Sequence, residues 1–503
     1  MILINSSSRD GMKMLQPFFP VTVPLGIGYL MAVAEREGIH VELIDEQIEN
    51  DVIEAVKNHV KNMKRPHIFG FSVLTAALKN SIDVSKKLKE LYPDSMIIFG
   101  GIHPSALPEE VLSHAHIDLV VMGEGETAIT ELYRHIKEGR DFRHLENIAY
   151  MHDGKIIKNK RAMPIEDIDK MPSFPYHRFN EKKYDLGIVM TSRGCPYDCI
   201  FCSNRVVTGK RYRFRSTKSV MDDLDTIYHR YGKKHIAFWD DNLLVSKDRI
   251  YNLLSEIRKA GFNKKVTFTF QARADNVDNV ILKDLFNAGF ESIFFGIETS
   301  SNRLMKILKK GESLEDCRRA VAMAKDIGFI VGATFIYGIP GETHKERMDC
   351  VKLTKELGLD MVRYNNATPY PGTELFEIAK REGRLNVKGL YENFNSVACF
   401  VENPFRKSPL SYVPLNHSEN DIRMDILLSY LLFYLNINKI AKILIKRDRL
   451  GWFNAGSNPM EKIKKAPYIV FLAIMMLIKF WQLFLYIASK NTKKALWFKS
   501  ARK

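Results

Sequence analysis

Short apolar runs alternate with helical patterns along most of this chain, and the alternation restricts the folds that it can form. Each apolar run, such as Met1 to Ile4 or Met96 to Phe99, is bounded by glycine or polar turn residues and is typical of a buried strand. Most of these runs are followed by a segment in which apolar residues recur at helical spacing. Strands that are separated in this way by helices pair in parallel. We therefore expect an α/β protein built on parallel sheets.

The alternation occurs in two blocks, which predict two domains. Residues 1–150 predict an N-terminal doubly wound, Rossmann-like parallel sheet. Residues 185–385 predict a partial (β/α)6 barrel of the TIM type. The segment 151–184 carries prolines and little periodicity, so it predicts a connector, whose aromatic side chains we expect to pack along both domains. Residues 386–503 predict a mostly α-helical C-terminal region.

Composition and charge narrow the class of protein. The chain has 503 residues, 46% hydrophobic and 27% charged, which is typical of a globular protein too long for one core. It has only six cysteines, so we expect a reducing cytoplasm rather than a disulfide framework. No secretory signal is expected, because the first apolar run ends at Asn5.

The net charge is +16, and the last fourteen residues carry six basic and no acidic side chains beside an apolar run. We therefore expect a membrane surface, and not nucleic acid, as a partner.

Three of the six cysteines lie on one loop between Thr191 and Asn204 at the spacing C-x3-C-x2-C: Cys195, Cys199 and Cys202. Iron–sulfur clusters are held by cysteine thiolates at short spacings, so these ligands can hold three corners of a 4Fe–4S cube. The fourth iron is then open to chelate a small molecule. Structural zinc sites need four ligands, usually in two pairs, and the other cysteines are far apart in sequence. A zinc knuckle or a reactive thiol is therefore the less favoured alternative.

The cysteine loop resembles the signature of the radical S-adenosylmethionine (SAM) enzymes, including the aromatic Phe201 before the third cysteine. In that family the open iron binds the amino and carboxylate groups of SAM. An electron from the cluster then cleaves the sulfonium and gives a 5'-deoxyadenosyl radical. The resemblance implies a 4Fe–4S cluster and SAM as cofactors, with an external electron donor of the ferredoxin or flavodoxin type. It covers about residues 1–385.

Polar residues and a glycine turn close the predicted barrel strands, where parallel barrels carry their chemistry. Each resembles the corresponding radical SAM element, and in chain order they are Asp240, Asp241, Gln271, Arg273, Glu298, Gly338 and Pro340. The two aspartates can pair with the ammonium group of SAM, and the guanidinium suits its carboxylate. The glutamate can accept from ribose hydroxyls, and the turn at Gly338 lets backbone lie against adenine or the methionine moiety. Asp241 could instead cap the next helix.

Small residues fill the turns after the strands of the N-terminal sheet, where such sheets bind ligands. These residues are Ser72, Thr75, Gly100, Gly101, His103, Gly123, Glu124 and Gly125. No G-x-G-x-x-G follows the first strand, so a nicotinamide cofactor is not expected. Together with Pro24-Leu25-Gly26, the turns resemble the cobalamin-binding domain that precedes the radical SAM barrel in one large subclass. D-x-H-x-x-G is absent, so we expect no histidine in place of the lower base of cobalamin. His103 either faces the corrin or is an ordinary turn residue.

A long apolar run at residues 469–487 is almost long enough to cross a bilayer. Lys479 and Gln482 lie on one helical face in its middle, where charge is disfavoured in hydrocarbon. Because Trp481, Tyr486 and flanking lysines accompany the run, we expect a helix that lies in the membrane interface. A true span, or a buried core or dimer helix, is the alternative. We accordingly expect a cytoplasmic protein that is peripheral on the inner face of the membrane.

These features predict a radical SAM enzyme that acts on an unactivated carbon. The resemblance to the cobalamin-binding subclass favours cobalamin-dependent methyl transfer. We expect a hydrophobic or lipid-like substrate, because an apolar C-terminal region accompanies the radical site. The resemblance also admits oxidative cyclisation or C–C bond formation, as in ring formation on tetrapyrroles or lipids. A non-catalytic cobalamin or redox sensor would not need the polar strand ends. A methylthiotransferase is disfavoured, since residues 1–194 contain no cysteine for a second cluster.

Overall fold

The structure is a computed structural model that describes residues 1–7, 21–401, 403–405, 408–434, 467, 470–471 and 474–489. Its N-terminal domain is a seven-stranded sheet in the order β2-β1-β3-β4-β5-β6-β7. The strands are β1 (Ile2–Asn5), β2 (Glu42–Asp45), β3 (Ile68–Ser72), β4 (Met96–Gly100), β5 (Leu119–Val121), β6 (Ile148–His152) and β7 (Lys155–Lys158). The helices are α1 (Leu25–Arg36), α2 (Val52–Val60), α3 (Leu78–Leu91), α4 (Ile102–Ala106), α5 (Pro108–Leu112) and α6 (Glu126–Glu138).

The first five strands pair in parallel, which confirms the predicted doubly wound sheet. The last two are antiparallel and extend the sheet past residue 150 into the segment that the sequence assigns to a connector. The turn between them has positive φ at both Asp153 and Gly154, as a type I′ hairpin requires. Strand β7 was missed because it is an exposed edge strand without the alternation of a buried one.

The second domain is a six-stranded parallel sheet in the order β15-β14-β13-β12-β11-β8. Its strands are β8 (Ile188–Val189), β11 (His235–Phe238), β12 (Thr267–Ala272), β13 (Phe290–Glu298), β14 (Ile330–Tyr337) and β15 (Met361–Asn366). Its helices are α7 (Thr217–Asp225), α8 (Lys247–Lys259), α9 (Asn279–Asn287), α10 (Asn302–Ile307), α11 (Leu314–Ile327), α12 (His344–Glu356) and α13 (Glu374–Arg381). This arrangement is the predicted partial (β/α)6 barrel. A short antiparallel pair, β9 (Ser192–Arg193) and β10 (Arg213–Phe214), flanks the cysteine loop.

The connector packs against both domains through its aromatic residues, as predicted. Phe174 stacks on Phe179, with ring centroids 5.3 Å apart, and meets Tyr29 of α1 edge-on at 5.4 Å. A Cβ at Gly28 would lie 2.2 Å from the ring of Phe174, so only glycine permits this close approach. The same hydrophobic cluster continues into the barrel core, which places the two domains against each other.

A buried cluster of charges joins the N-terminal sheet to the cysteine loop. Arg213 binds both carboxylate oxygens of Glu124 at 2.7 and 2.9 Å. Arg193 lies 2.7 Å from Glu126 and 3.4 Å from Glu124. All four side chains are at most 7% exposed. Because the glutamates follow β5 and the arginines flank the cysteines, these pairs fix the loop to the N-terminal domain.

The C-terminal region contributes three helices among the described residues: α14 (Ala398–Val401), α15 (Glu419–Tyr434) and α16 (residues 474–489). Helix α15 packs on β15 and α12. Arg347 of α12 is fully buried, and its Nε donates to Asp425 of α15 at 2.6 Å. Within the described residues, none of the helices combines the length and the apolar character that a membrane crossing requires.

Removal of one buried cation from the domain contact should destabilise the protein. In the variant Arg213→Met, Glu124 loses its bidentate partner. Breaking a buried ion pair lowers the free energy of unfolding by about 3–5 kcal/mol. The control Arg211→Met removes a half-exposed arginine paired with exposed Glu166, where we expect about 0–1 kcal/mol. Urea unfolding of the two variants measures both values. An equal loss of unfolding free energy in Arg213→Met and Arg211→Met would contradict the conclusion that the buried charges join the two domains.

Candidate active site

The cysteine loop leaves the carboxyl end of β8 and is held in place by backbone contacts. Gly194 has φ of +83°, and a Cβ there would lie 2.2 Å from the carbonyl oxygen of Arg211. The position therefore requires glycine directly before the first cysteine. Further along the loop, the N–H of Ile200 donates to the carbonyl of Leu308, and the carbonyl of Ile200 accepts from the N–H of Leu375.

The three thiols are partly buried near one another. Burial raises the pKa of Cys195, Cys199 and Cys202, in the last case to about 11. Within the part of the chain that the structure describes, no group of three His, Cys, Asp or Glu side chains has the spacing to hold a single metal ion. Each cysteine of a cluster binds a different iron, so its sulfur atoms need not converge on one point. Three thiol donors on one loop, without a fourth, fit a 4Fe–4S cube with an open corner.

The two predicted aspartates occupy different environments. Asp240 is buried, and its Oδ1 accepts from the Thr191 N–H at 3.1 Å and from the Thr191 hydroxyl at 2.8 Å. It thereby fixes the start of the cysteine loop. Asp241 is solvent-exposed and accepts from Asn204 at 2.6 Å. Ser246 stands at the N-cap position of α8, so Asp241 does not cap that helix and remains the accessible carboxylate.

Arg273 lies beside the cysteine loop at the end of β12. Its guanidinium stands 3.6 Å from the ring centroid of Tyr197, which belongs to that loop, and it pairs with Asp275 at 2.8 Å. Its Nη1 is buried and has no hydrogen-bond partner among the described residues. A cation with an unused donor suits a carboxylate ligand. Gln271, the other predicted residue of this strand, has an exposed side chain.

Glu298 closes β13 and is the most unusual residue of the site. It is 7% exposed, has φ of +67°, and lies with both carboxylate oxygens 3.3 Å from the hydroxyl of Thr334. Burial raises its pKa to about 7, against the opposing effect of Lys310. Positive φ in a residue other than glycine is strained, and such strain concentrates at functional sites.

Lys310 and Glu312 belong to the same group of buried charges, and the sequence patterns did not single them out. Lys310 is 5% exposed and lies 3.3 Å from Glu312, which is 3.8 Å from Arg273. Burial raises the pKa of Cys199, and the charge of Lys310 opposes that rise. Both residues follow the fourth strand of the barrel, on the edge where the other βα loops meet. Charged residues in these loops are expected to be functional, so their position in the sequence could have identified them.

The turn from Gly338 to Glu342 is stabilised by its own glutamate. Glu342 is buried and accepts from the Gly338 N–H at 2.6 Å, and burial raises its pKa to about 8. A Cβ at Gly338 would meet Ile422 of α15 at 3.3 Å. That side of the glycine is therefore covered by the C-terminal region. Pro340 lies within the turn and is partly exposed.

A cleft of about 950 Å³, including its opening to solvent, lies between the N-terminal sheet and the barrel. Six predicted residues line it: Ser72, Gly100, Gly101, Gly123, Glu124 and Gly125. Met190 and Arg193 line it from the side of the cysteine loop. Its wall is largely glycine and apolar side chains, which suits a large, flat ligand that lies close to backbone. The residues present therefore fit cobalamin.

Thr75 and His103 do not line this cleft. The hydroxyl of Thr75 is buried without a hydrogen-bond partner among the described residues. His103 is fully buried, with its ring centroid 4.9 Å from that of Tyr391, and burial lowers its pKa to about 4. Both ring nitrogens of His103 are buried without a hydrogen-bond partner among the described residues, and its role as a corrin-facing or an ordinary turn residue stays a prediction.

Two family models match the chain. The radical SAM superfamily model covers residues 189–354, which include the cysteine loop and the polar strand ends. The B12 binding domain model covers residues 16–133, which include the predicted turns of the N-terminal sheet. These matches confirm that the chain has the domains that bind SAM with a 4Fe–4S cluster and cobalamin. The individual contacts to each cofactor remain predictions.

Curated relatives agree with the two models. An uncharacterized methyltransferase of Pyrococcus horikoshii is 32% identical over 363 residues, which are 71% of this chain and 78% of that protein. The anaerobic magnesium-protoporphyrin IX monomethyl ester cyclase of Rubrivivax gelatinosus is 26% identical over 378 residues, which are 71% of this chain and 66% of the cyclase.

Solved structures share the fold. The radical SAM methyltransferase TsrM of Kitasatospora setae, with cobalamin and a [4Fe-4S] cluster bound, has a TM-score of 0.62 at 21% identity over 76% of this chain and 74% of TsrM. The cobalamin-dependent radical SAM enzyme OxsB has a TM-score of 0.67 at 19% identity over 95% of this chain and 71% of OxsB. The fold, the cysteine loop and the two family models lead to one assignment: the chain belongs to the radical SAM superfamily, among the enzymes in which a B12-binding domain precedes the barrel.

Proposed function

We propose that this protein is a cobalamin-dependent radical SAM methyltransferase that methylates an unactivated carbon of a hydrophobic or lipid-like substrate. One observation carries the proposal: the cleft of the B12-binding domain is lined by Arg193, two residues before Cys195. The regions expected to hold the two cofactors therefore adjoin. When bound, the cluster would supply the electron that cleaves SAM, and cobalamin would supply the methyl group.

The residues of the barrel would bind and orient SAM at the cysteine loop. Asp241 would accept from the ammonium group, and the unused Nη1 of Arg273 would donate to the carboxylate. Glu298 would accept from the ribose hydroxyls. Asp240 would hold the start of the cysteine loop through its Oδ1, and its Oδ2, which has no hydrogen-bond partner among the described residues, would be available to the ammonium group. The neighbouring Arg–Glu pairs would keep this loop at a fixed position relative to the cleft.

The hydrophobic substrate is proposed from the C-terminal region. Helix α15 covers the barrel beside the turn at Gly338, and α16 exposes large apolar side chains. We also infer an electron donor of the ferredoxin or flavodoxin type, since a net charge of +16 would attract an acidic protein. The six cysteines are all free, which is consistent with a reducing cytoplasm.

Loss of one cluster ligand should abolish both iron binding and SAM cleavage. Protein reconstituted without oxygen should hold about four irons per chain and release 5'-deoxyadenosine with dithionite. Cys199→Ala leaves two ligands and should lose both properties, whereas Cys350→Ala, which alters a buried thiol in α12, should keep them. Iron analysis and product chromatography measure these outcomes. Unchanged turnover in Cys199→Ala would refute the radical mechanism.

Filling the cleft should block cobalamin without harming the fold. Gly26 lines the cleft, and a Cβ there would meet no atom within 4 Å. We expect Gly26→Phe to lower bound cobalt and the corrin absorption by about tenfold or more, because the ring would occupy ligand space. Gly26→Ala should retain cobalamin, since a methyl group leaves most of the cleft open. Equal cobalt in both variants would mean that cobalamin binds elsewhere.

Oxidative cyclisation is the second candidate, because the R. gelatinosus cyclase is among the relatives. The two reactions differ in the fate of the methyl group of SAM. With SAM labelled in that group and an extract of the host's lipids as substrate, methyl transfer predicts label in an apolar product. Product formation with release of 5'-deoxyadenosine but without incorporated label would favour cyclisation. No 5'-deoxyadenosine under any condition would favour a non-catalytic sensor.

A further inference from the structure

Helix α16 turns its polar side chains toward the protein and its large apolar side chains outward. Met475, Lys479 and Leu483, which follow one another at one-turn spacing, are buried. On the opposite side, a stripe of residues is between 49% and 66% exposed: Ile474, Leu477, Trp481, Phe484 and Leu485. We call these five residues the outer face. Steps of three or four positions from Ile474 to Phe484, with Leu485 next to the last of them, place them on one side of the helix.

Three polar residues of α16, Lys479, Gln482 and Tyr486, make hydrogen bonds with the rest of the C-terminal region. Lys479 is 4% exposed, and its Nζ donates to the carbonyl oxygens of Phe400 at 2.6 Å and Cys399 at 3.2 Å. Gln482 donates to the carbonyl of Pro404 at 3.4 Å. The mid-helix charge is therefore held away from the outer face, and it does not oppose contact with hydrocarbon.

The outer face has the composition of a helix that lies at a membrane surface. Trp481 and Phe484 stack with ring centroids 5.6 Å apart, and aromatic rings of this kind favour the headgroup level of a bilayer. In the sequence that follows, residues 490–503 carry six basic and no acidic side chains. An apolar helical face combined with a basic segment binds anionic membranes.

We propose that the outer face of α16 docks on the surface of a lipid bilayer that contains anionic lipid. The helix lies along the interface, with its inner face on α14 and α15 and its outer face in the acyl boundary. A second copy of the chain is the competing occupant of this face, and the oligomeric state distinguishes the two.

Flotation of the holoprotein with vesicles tests this docking. The full chain should float with vesicles of equimolar phosphatidylcholine and phosphatidylglycerol, and much less with phosphatidylcholine alone. The double variant Leu477→Glu/Trp481→Glu should lower the bound fraction by about tenfold or more, because two charges would enter the acyl boundary. The matched control Val280→Glu places a charge on α9 at a residue that is 64% exposed and should float normally.

Cofactor content and oligomeric state complete the experiment. Retention of iron and cobalt by the double variant shows that it is folded. Absence of flotation by the unaltered chain would overturn the proposal, and so would normal flotation of the double variant, which would assign binding to another surface. A dimer in sedimentation that dissociates in the double variant would make the outer face a contact between two copies and would also overturn it.

Discussion

The buried pairing of Arg193 and Arg213 with Glu124 and Glu126 fixes the cysteine loop to the N-terminal domain. Each ion pair alone would be costly to bury, but four alternating charges within hydrogen-bond reach compensate one another. Glu124 lies in the turn after β5 and Glu126 begins α6, whereas the arginines lie on the two strands that flank the cysteines. The B12-binding domain and the cysteine loop are thus held by the same contact, and the cleft opens beside it.

A second group of buried charges prepares the barrel for a charged ligand. Arg273, Glu312, Lys310 and Glu298 follow one another around the cysteine loop, and each is at most 8% exposed. Buried charges need hydrogen-bond partners. The Nη1 donor of Arg273 has no such partner among the described residues. SAM carries an ammonium, a carboxylate and a sulfonium, so a site with both signs of charge is suited to it.

The sequence predicted what depends on local pattern. Strand and helix alternation identified both sheets, and the cysteine spacing identified the cluster loop. Contacts between residues that are distant in the chain produce no pattern in the sequence. Lys310 resembles an ordinary surface lysine there, and nothing near Arg193 predicts its contact with Glu126. His103 was ambiguous because its neighbour Tyr391 lies 288 positions away in the chain. Lys479 argued against a membrane span, but nothing in the sequence indicated that backbone carbonyls of the protein bind it.

The central claim is that the two cofactor regions adjoin at one cleft, and magnetic resonance tests it most directly. A reduced 4Fe–4S cluster and cob(II)alamin each carry an unpaired electron. Protein that holds both should give a spectrum broadened by their mutual coupling, compared with the sum of spectra from protein that holds only one of them. A spectrum that equals this sum would contradict the account.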